Sequence, residues 1–306
     1  MCAVAGVEQE EVIDNELILF DRLEVIKSTI AKYGEENFYL SFSGGKDSTV
    51  VHHLLDLALP ENKIPRVFSN TGIEYNAVVE FVKDMAKSDD RFVFIYPKQN
   101  IKQMLERVGY PFKSKEHSTR LGCWQNGSRS KSVMRYITET EGKYCCPEIL
   151  RYQFTDQFKL KVSPYCCHEL KKKPMHRYEQ ESGKNIAMTG MMREEGGQRE
   201  HMDCIVTKKG KVIKFHPLAK VTKEWEEWFI QEHNVKLCKL YYEPFNFYRT
   251  GCKGCPLSLS LSQQLETMER YMPNERKQTE MIWQPVYDEY RRIGYRLQSE
   301  EQTKLF

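Results

Sequence analysis

The chain has 306 residues, 40% hydrophobic and 29% charged, and its 46 basic and 43 acidic residues give a net charge of +3. This is the composition of a soluble globular protein with one large or two smaller domains, and so small a net charge neither requires nor excludes nucleic acid as a partner. No run approaches the ~18 apolar residues of a membrane span, and the first residues do not resemble a secretory signal. We therefore expect a cytoplasmic protein that makes no membrane contact.

Helical and extended patterns alternate along the first third of the chain. Amphipathic spacing predicts a helix over residues 9–34, and β-rich apolar runs predict strands over 38–42, 67–68 and 92–96, with a helix after each of the first two. This alternation predicts an α/β fold with a doubly wound parallel sheet, in which ligands bind at the carboxyl ends of the strands.

The first strand ends in the sequence SGGKDS, residues 43–48, and apolar residues at helical spacing follow it. The glycines allow the backbone to approach a ligand closely, and the N–H groups at the start of the next helix favour phosphate. The serines add hydroxyl donors, the lysine adds a positive charge, and the aspartate is a Mg²⁺ ligand or a helix cap. The candidate nucleotide-binding residues are Ser43, Gly44, Gly45, Lys46, Asp47 and Ser48, of which Lys46 and Asp47 are also candidates for catalysis.

The spacing of this loop is not that of a Walker P-loop, because G-x-x-x-x-G-K is absent. SGGKDS is instead similar to the PP-loop of the ATP-pyrophosphatase, or adenine nucleotide α-hydrolase, superfamily, whose members cleave ATP between its α and β phosphates. The alternative interpretation is an ordinary strand–turn–helix connection.

The remaining chain divides into segments by the same patterns. We predict an N-terminal helical segment over 1–36, a nucleotide-binding domain over 37–218, and a helical C-terminal segment over 219–306 that contributes a Cys-x-x-Cys. Residues 111–165 have a weak, turn-like pattern, and we interpret them as an irregular insertion or lid over the active-site face.

Five later motifs follow the PP-loop in a fixed order: NTG at 70–72, CCHELKKKP at 166–174, TGMMREEGGQR at 189–199, HPL at 216–218 and CKGC at 252–255. This order resembles the phosphoadenylylsulfate (PAPS) and adenylylsulfate (APS) reductase family over about residues 37–257. The resemblance implies an enzyme with an adenine nucleotide as ligand. It adds Thr71, Gly72, Gly190, Arg193 and Arg199 as binding candidates, with Arg193 also catalytic.

Guanidinium groups suit phosphate or sulfate, and a solvated charged loop is the alternative interpretation of both arginines.

Two departures from the family change the expected chemistry. The reductases carry a catalytic cysteine in a C-terminal Glu-Cys-Gly-Leu-His, which is absent after Cys255. Their PP-loops are also degraded, whereas SGGKDS is complete here. The chain therefore resembles the branch that uses ATP, such as ATP sulfurylase small subunits, tRNA thiolation enzymes and the sulfur-transfer enzyme of DNA phosphorothioation.

The ten cysteines include an adjacent pair, Cys166 and Cys167, and a distant pair, Cys252 and Cys255. In APS reductases a similar arrangement holds a 4Fe–4S cluster, for which thiolates are the usual ligands. A structural zinc ion and buried, unligated cysteines are the alternatives. We interpret Cys123 as a small residue near a turn, with a reactive thiol as the alternative.

These features predict an Fe–S enzyme that binds ATP and Mg²⁺, adenylates an acceptor and transfers sulfur to it from a sulfur donor. The acceptor is left open between nucleic acid and a small molecule, and a homodimer is also left open. One alternative is an APS or PAPS reductase that releases sulfite, with a thiol reductant or a thiol from elsewhere in the chain. The other is a nucleotide-sensing regulatory module.

Overall fold

The computed structural model describes residues 14–142, 145–196 and 199–297. They form two compact units. The first comprises the residues up to Ser41, Asp47–Pro65 and Asn185–Lys236, and the second comprises Phe42–Lys46, Arg66–Lys184 and the residues from Leu237 onwards. Both units are discontinuous along the chain, and they run across the predicted boundaries at residues 36 and 218, so that division stays a prediction.

Six strands form one sheet, and parallel pairs predominate in it. β1 pairs in parallel with β4, β4 with β6, and β2 with β3, whereas β5 and β6 form an antiparallel hairpin. Strand order reverses between β1 and β4, which confirms the predicted doubly wound α/β fold. In the order β3-β2-β1-β4-β6-β5 the strands are Phe92–Ile95, Arg66–Ser69, Phe38–Phe42, Ile186–Met188, Lys211–Phe215 and Ile205–Lys208.

Ten α-helices are described, and none of them is long and apolar enough to cross a membrane. The predicted helix over 9–34 is confirmed from residue 15 onwards, and its first residues lie outside the described part of the chain. In order, α1 to α10 are Asn15–Tyr33, Lys46–Ala58, Asn76–Ala86, Ile101–Val108, Lys115–Gln125, Lys131–Thr138, Lys173–Ser182, Lys223–Glu232, Leu261–Tyr271 and Pro273–Arg292.

The prediction that residues 111–165 are irregular is wrong, because they contain α5, α6 and a 3-10 helix over Glu148–Phe154. The expected turn around Gly122 lies inside α5. Ser114 caps that helix by accepting from the N–H of His117 at 3.1 Å. A methyl group at Gly122 would stand 2.9 Å from the carbonyl oxygen of Val162. The glycine therefore serves close packing of α5 rather than a turn.

Each unit has its own aromatic core. In the first unit, Trp225 and Phe229 of α8 are buried, and their rings stack at 5.4 Å between centroids. In the second unit, Trp283, Tyr287 and Tyr290 of α10 are fully buried. The α10 aromatics matter for the candidate site, because their polar atoms hydrogen-bond to the Cys-x-x-Cys turn.

Candidate functional site

The loop that follows β1 requires glycine at position 44. Gly44 has a φ of +71°, and a methyl group there would stand 2.8 Å from a methyl carbon of Val78 and 2.9 Å from one of Val82. Both valines are buried in α3, so they have little room to move aside. The N–H of Gly45 donates to Ser43 Oγ at 3.2 Å and tightens the turn before α2. The strand, turn and helix predicted for SGGKDS are therefore present.

Two hydroxyl groups from the C-terminal part of the second unit lie against this loop. The N–H of Lys46, at the first residue of α2, donates to Tyr241 Oη at 3.0 Å. Tyr241 Oη is also 2.9 Å from Thr250 Oγ1. The N-terminal N–H groups of a helix suit an anionic oxygen. Tyr241 thus provides an oxygen to one of the donors that a phosphate group would use.

In the first unit, the start of α2 is packed against the turn after β4. A methyl group at Gly190 would stand 2.6 Å from the carbonyl oxygen of Asp47 and 2.8 Å from its Cβ. Such separations are shorter than any ordinary contact, so only glycine lets the two backbones come this close. The predicted binding residue Gly190 therefore lies beside Asp47, and Ser48, the next residue, is buried.

The predicted arginines also lie in the first unit, and each contacts a carboxylate. Arg193 Nη2 is 3.7 Å from an oxygen of Asp203, and Arg199 forms an ion pair with Glu195. Both arginine side chains are 39% exposed. Residues 197–198 of the same motif lie outside the described part of the chain. Partly exposed guanidinium groups keep donors that an anionic ligand can reach, and phosphate binding stays a prediction for both.

His216 is held by the end of β4. Its Nδ1 lies 2.7 Å from Thr189 Oγ1, and the residue is 1% exposed. Burial lowers the pKa of His216 to about 4, so the imidazole is neutral at pH 7. These contacts favour a structural role for this histidine.

The turn after β2 is organised by a carboxylate that the sequence analysis did not single out. Glu74 is buried, and its carboxylate accepts from the N–H of Thr71 at 2.8 Å and from the Thr71 hydroxyl at 2.8 Å. Gly72 has a φ of +82°, and its N–H donates to Asn70 Oδ1 at 3.2 Å. The two predicted binding residues Thr71 and Gly72 thus lie in a turn whose conformation Glu74 and Asn70 fix.

The four predicted metal ligands lie together in the second unit. Cys166 and Cys167 occupy the first helical residues before a π-helical turn, His168–Lys172, that continues into α7. Cys252 pairs with Glu74 in an isolated antiparallel bridge, which joins the Cys-x-x-Cys turn to the segment after β2. The N–H of Cys255 donates to the Cys252 carbonyl at 3.2 Å and closes the turn.

α10 supports the Cys-x-x-Cys turn from its buried face. Trp283 Nε1 donates to the carbonyl of Lys253 at 3.1 Å, and the Tyr287 hydroxyl donates to the carbonyl of Gly254. The Lys253 ammonium is buried 3.5 Å from a carboxylate oxygen of Glu275. The cysteine-bearing turn is therefore anchored by buried polar contacts.

The electrostatics of the thiols show that they are neighbours. The pKa of Cys252 is raised to about 11 and that of Cys255 to about 12, chiefly by burial, and neighbouring cysteines contribute to both increases. The pKa of the Cys166 thiol is raised by burial first and then by Cys252, Cys167 and Cys255. Because a metal binds thiolates, its uptake must release these protons.

One cation lies among these groups. The ammonium of Lys171 is 3.5 Å from Glu74 Oε1, and the negative charge of Cys252 raises its pKa more than that of Glu74 does. A positive charge here would offset part of the charge of four thiolates.

Thiol spacing bears on the identity of the metal. Tetrahedral zinc with Zn–S bonds of about 2.3 Å brings its four sulfurs to roughly 3.8 Å from one another. Among the residues that the structure describes, no three cysteine sulfurs lie within 4.8 Å of one another. Thiolates are ligands of both zinc and 4Fe–4S clusters, so the identity of the metal stays a prediction.

The other described cysteines have different surroundings. Cys123 is exposed on α5, Cys145 is partly exposed, and Cys146 and Cys238 are buried. Burial raises the pKa of the Cys146 thiol to about 11. Cys123 is therefore the most accessible of these thiols, on a helix rather than in the turn that was predicted.

The profile described as the phosphoadenosine phosphosulfate reductase domain matches residues 37–125 and 124–258, which is more than half of the chain. The chain belongs to this family. The match begins at the end of the segment before β1 and reaches past the Cys-x-x-Cys turn. It therefore includes all the predicted nucleotide-binding and metal-binding residues, and it places the chain among nucleotide-binding enzymes.

Sequence relatives of this PAPS reductase family member add one partial match. The uncharacterized protein MJ0973 of Methanocaldococcus jannaschii is 34% identical over 103 residues, which are 30% of this chain and 25% of that protein. The chain thus matches about a quarter of that relative's length.

Solved structures resemble this PAPS reductase family member only at low identity. The phosphate complex of PAPS reductase from Candida auris has a TM-score of 0.46 at 14% identity, over 82% of this chain and 98% of that chain. FMN adenylyltransferase of Candida glabrata in complex with ATP has a TM-score of 0.45 at 12% identity, over 78% of this chain and 62% of that one. The NH3-dependent NAD synthetase of Campylobacter jejuni has a TM-score of 0.41 at 13% identity, over 94% and 99% of the two chains.

Three residues at the site were not identified from the sequence. Tyr241 and Thr250 contact the PP-loop, and Glu74 contacts Thr71 and Lys171. Of these three residues, Glu74 could have been identified, because it lies two residues after the Asn-Thr-Gly motif. Tyr241 and Thr250 lie in an aromatic segment whose pattern does not distinguish them from surface residues.

Proposed function

We propose that this chain binds ATP at residues 43–48 and uses it to adenylate an acceptor, to which sulfur is then transferred. The observation that carries this proposal is the complete SGGKDS loop at the start of α2, with Gly44 packed against the Val78 and Val82 side chains and Gly190 against the backbone of Asp47. A loop that only connected a strand to a helix would not need both glycines together with Lys46 and Asp47.

The residues of the loop suit the charges of a triphosphate. The N–H groups at the start of α2 and the Lys46 ammonium would stabilise negative phosphate oxygens. The half-buried carboxylate of Asp47 is an oxygen ligand of the kind that Mg²⁺ prefers. We further propose that Thr71 and Gly72 contact the nucleotide, and that Arg193 and Arg199 bind its phosphate end.

The proposed reaction has two steps. The acceptor oxygen forms a bond to the α-phosphorus of ATP while the bond to the bridging oxygen breaks, so pyrophosphate leaves with the electron pair and the acceptor loses its proton. A sulfur donor at the oxidation level of sulfide then forms the carbon–sulfur bond as the carbon–oxygen bond breaks and AMP leaves. Neither step oxidises or reduces the acceptor carbon.

The cysteine donor set supports a 4Fe–4S cluster on Cys166, Cys167, Cys252 and Cys255. The four thiols, of which Cys166 is buried and the others partly buried, and the nearby Lys171 ammonium fit such a group. When bound, the cluster would supply iron and sulfide beside the turn that contains Thr71 and Gly72. The chain's own contribution is to hold four thiolates and to offset their charge.

The family match favours a second candidate, a reductase that releases sulfite from APS or PAPS. Anaerobically purified full-length protein distinguishes the two. ATP-dependent release of pyrophosphate, lost in Lys46→Ala and Asp47→Ala variants that still fold, is expected for the proposed reaction. Release of sulfite from APS or PAPS without pyrophosphate from ATP would show that the protein is a reductase. Nucleotide binding without any turnover would indicate a regulatory module.

The metal proposal has its own readout. We expect about four irons per chain, with absorption near 400 nm, and loss of the iron in Cys252→Ser. Cys123→Ser is the matched control, since Cys123 is exposed and lies outside the ligand set. Colourless protein with one zinc per chain would contradict the cluster.

A further inference from the structure

The second unit contains a groove of about 610 Å³ that none of the predicted site residues lines. Its wall is formed by the end of α4, the second half of α5 and the segments over 126–129 and 155–165. Pockets of about 300–1,000 Å³ are typical of sites that hold a ligand of the size of a nucleotide. The lining is neither purely apolar nor purely charged, and its residue types therefore indicate the chemical class of the ligand.

The charged lining of the groove is mostly positive. Arg129, Lys159 and Lys161 are exposed and line the groove, and Asp156 is the acidic residue among the lining residues. Lys161 Nζ donates to the carbonyl of Arg107 at 2.6 Å. In the described ranges no carboxylate lies within ion-pair distance of any of these three cations. Their charge is therefore available to an anionic ligand.

Aromatic rings alternate with these cations. The guanidinium of Arg129 lies over the ring of Trp124, 3.3 Å from its centroid, and both residues line the groove. Tyr165 also lines the groove and is 58% exposed. Phe158 adds a third ring. Aromatic faces and stacked guanidinium groups are surfaces on which nucleobases stack.

We propose that this groove binds a single-stranded nucleic acid, with bases on Tyr165 and the Trp124–Arg129 stack and phosphates on Lys159 and Lys161. A strand suits the observations better than a free nucleotide, because the groove is lined by two stacking surfaces for bases and by two lysines for phosphates. Tyr165, which lines the groove, directly precedes Cys166, one of the four predicted metal ligands, in the same unit. The groove proposal deepens the proposed function and rests on it in one respect only, namely that the bound strand would be the sulfur acceptor.

Binding is measured without ATP, so that it does not depend on the proposed reaction. Fluorescence anisotropy of anaerobically purified full-length protein is followed with 5′-fluorescein-labelled 12-nucleotide strands of mixed sequence, as DNA and as RNA. The charge variant is Arg129→Gln/Lys159→Gln/Lys161→Gln. Its matched control is Lys83→Gln/Lys102→Gln/Lys277→Gln, which removes the same charge from exposed positions of the second unit that do not line the groove.

Two effects are expected from the variants. The charge variant weakens binding at least tenfold at 100 mM salt and lowers the slope of log affinity against log salt by about 1.4, as the loss of two phosphate contacts to a single strand implies. Tyr165→Ala weakens binding by about fivefold to a hundredfold through the lost stacking. Tyr165→Phe retains binding, because its ring still stacks, and the control triple variant binds almost as tightly as the unchanged protein.

Several results would overturn the proposal. Equal weakening by the charge variant and its control would show general attraction to a basic surface. AMP or UMP binding as tightly as the 12-nucleotide strand would show a mononucleotide site, and equal competition by polyglutamate would show an acidic-peptide site. The Lys46→Ala variant separates the two proposals. If this variant still binds the strand but releases no pyrophosphate, the groove proposal is supported independently of the proposed ATP reaction.

Discussion

Replacing Gly254 by alanine should destabilise the Cys-x-x-Cys turn strongly. Gly254 has a φ of +58°, in the left-handed region that side chains rarely adopt. A methyl group there would overlap Thr279 Cγ2 and stand 2.5 Å from Tyr287 Oη. Thr279 and Tyr287 are both fully buried in α10, so neither can move aside easily. The substitution therefore combines backbone strain with overpacking.

The two effects can be given separate magnitudes. A residue with a side chain in the left-handed region costs about 1–2 kcal/mol, and overpacking of a dense core costs about 1–3 kcal/mol. The free energy of unfolding should fall by about 2–5 kcal/mol, a large part of the ~5–15 kcal/mol that typical domains have. Thr279→Ser removes the methyl group that overlaps and keeps the hydroxyl. The Gly254→Ala/Thr279→Ser double variant should therefore regain most of the free energy of unfolding that overpacking costs. The loss caused by backbone strain should remain.

Urea unfolding of the anaerobically purified protein measures these differences, and iron content is measured in parallel. Gly251→Ala is the matched control, because a methyl group there would meet no heavy atom within 4 Å. We expect Gly251→Ala to change stability by less than about 0.5 kcal/mol. The reasoning is refuted if Gly254→Ala is as stable as the control, or if Thr279→Ser does not improve it.

Three further predictions concern the remaining site and core. Gly190→Ala should lower stability by about 1–3 kcal/mol and weaken ATP binding, because its methyl group would push Asp47 away; unchanged melting and ATP titration would contradict this. Tyr241→Phe should lower the free energy of unfolding by about 0.5–1.5 kcal/mol, because the hydrogen bond from the N–H of Lys46 is lost. It should tighten ATP binding, because a phosphate oxygen no longer competes with the tyrosine hydroxyl for that N–H. Isothermal titration shows whether the affinity for ATP rises or falls. Burial lowers the pKa of His117 from 6.5 to about 4, so its contribution to stability is complete above pH 6.5 and declines as the pH falls towards 4. Unfolding at pH 7 and pH 5 should show a loss of about 2 kcal/mol that is absent from His117→Gln.

Local signals in the sequence were sufficient for much of the fold and for the identity of the motifs. Apolar runs predicted β1, β2 and β3, and amphipathic spacing predicted α1, because side-chain period acts within a few residues. The same holds for SGGKDS and the cysteine pairs, whose residue types and spacing are visible without any structure. The helices within residues 111–165 were not predicted. Gly122 suggested a turn, whereas in the structure it lies in a helix and allows close packing against Val162.

The sequence by itself therefore determined the α/β class, the PP-loop and the four candidate thiolates. Only the tertiary structure decided which residues surround them. The Tyr241 hydroxyl meets the N–H of Lys46 across 195 positions of sequence, and Lys171 reaches Glu74. Such contacts depend on how distant segments pack, and no period or spacing within one segment encodes them. Whether a tyrosine faces solvent or the SGGKDS loop is thus settled by the fold around it.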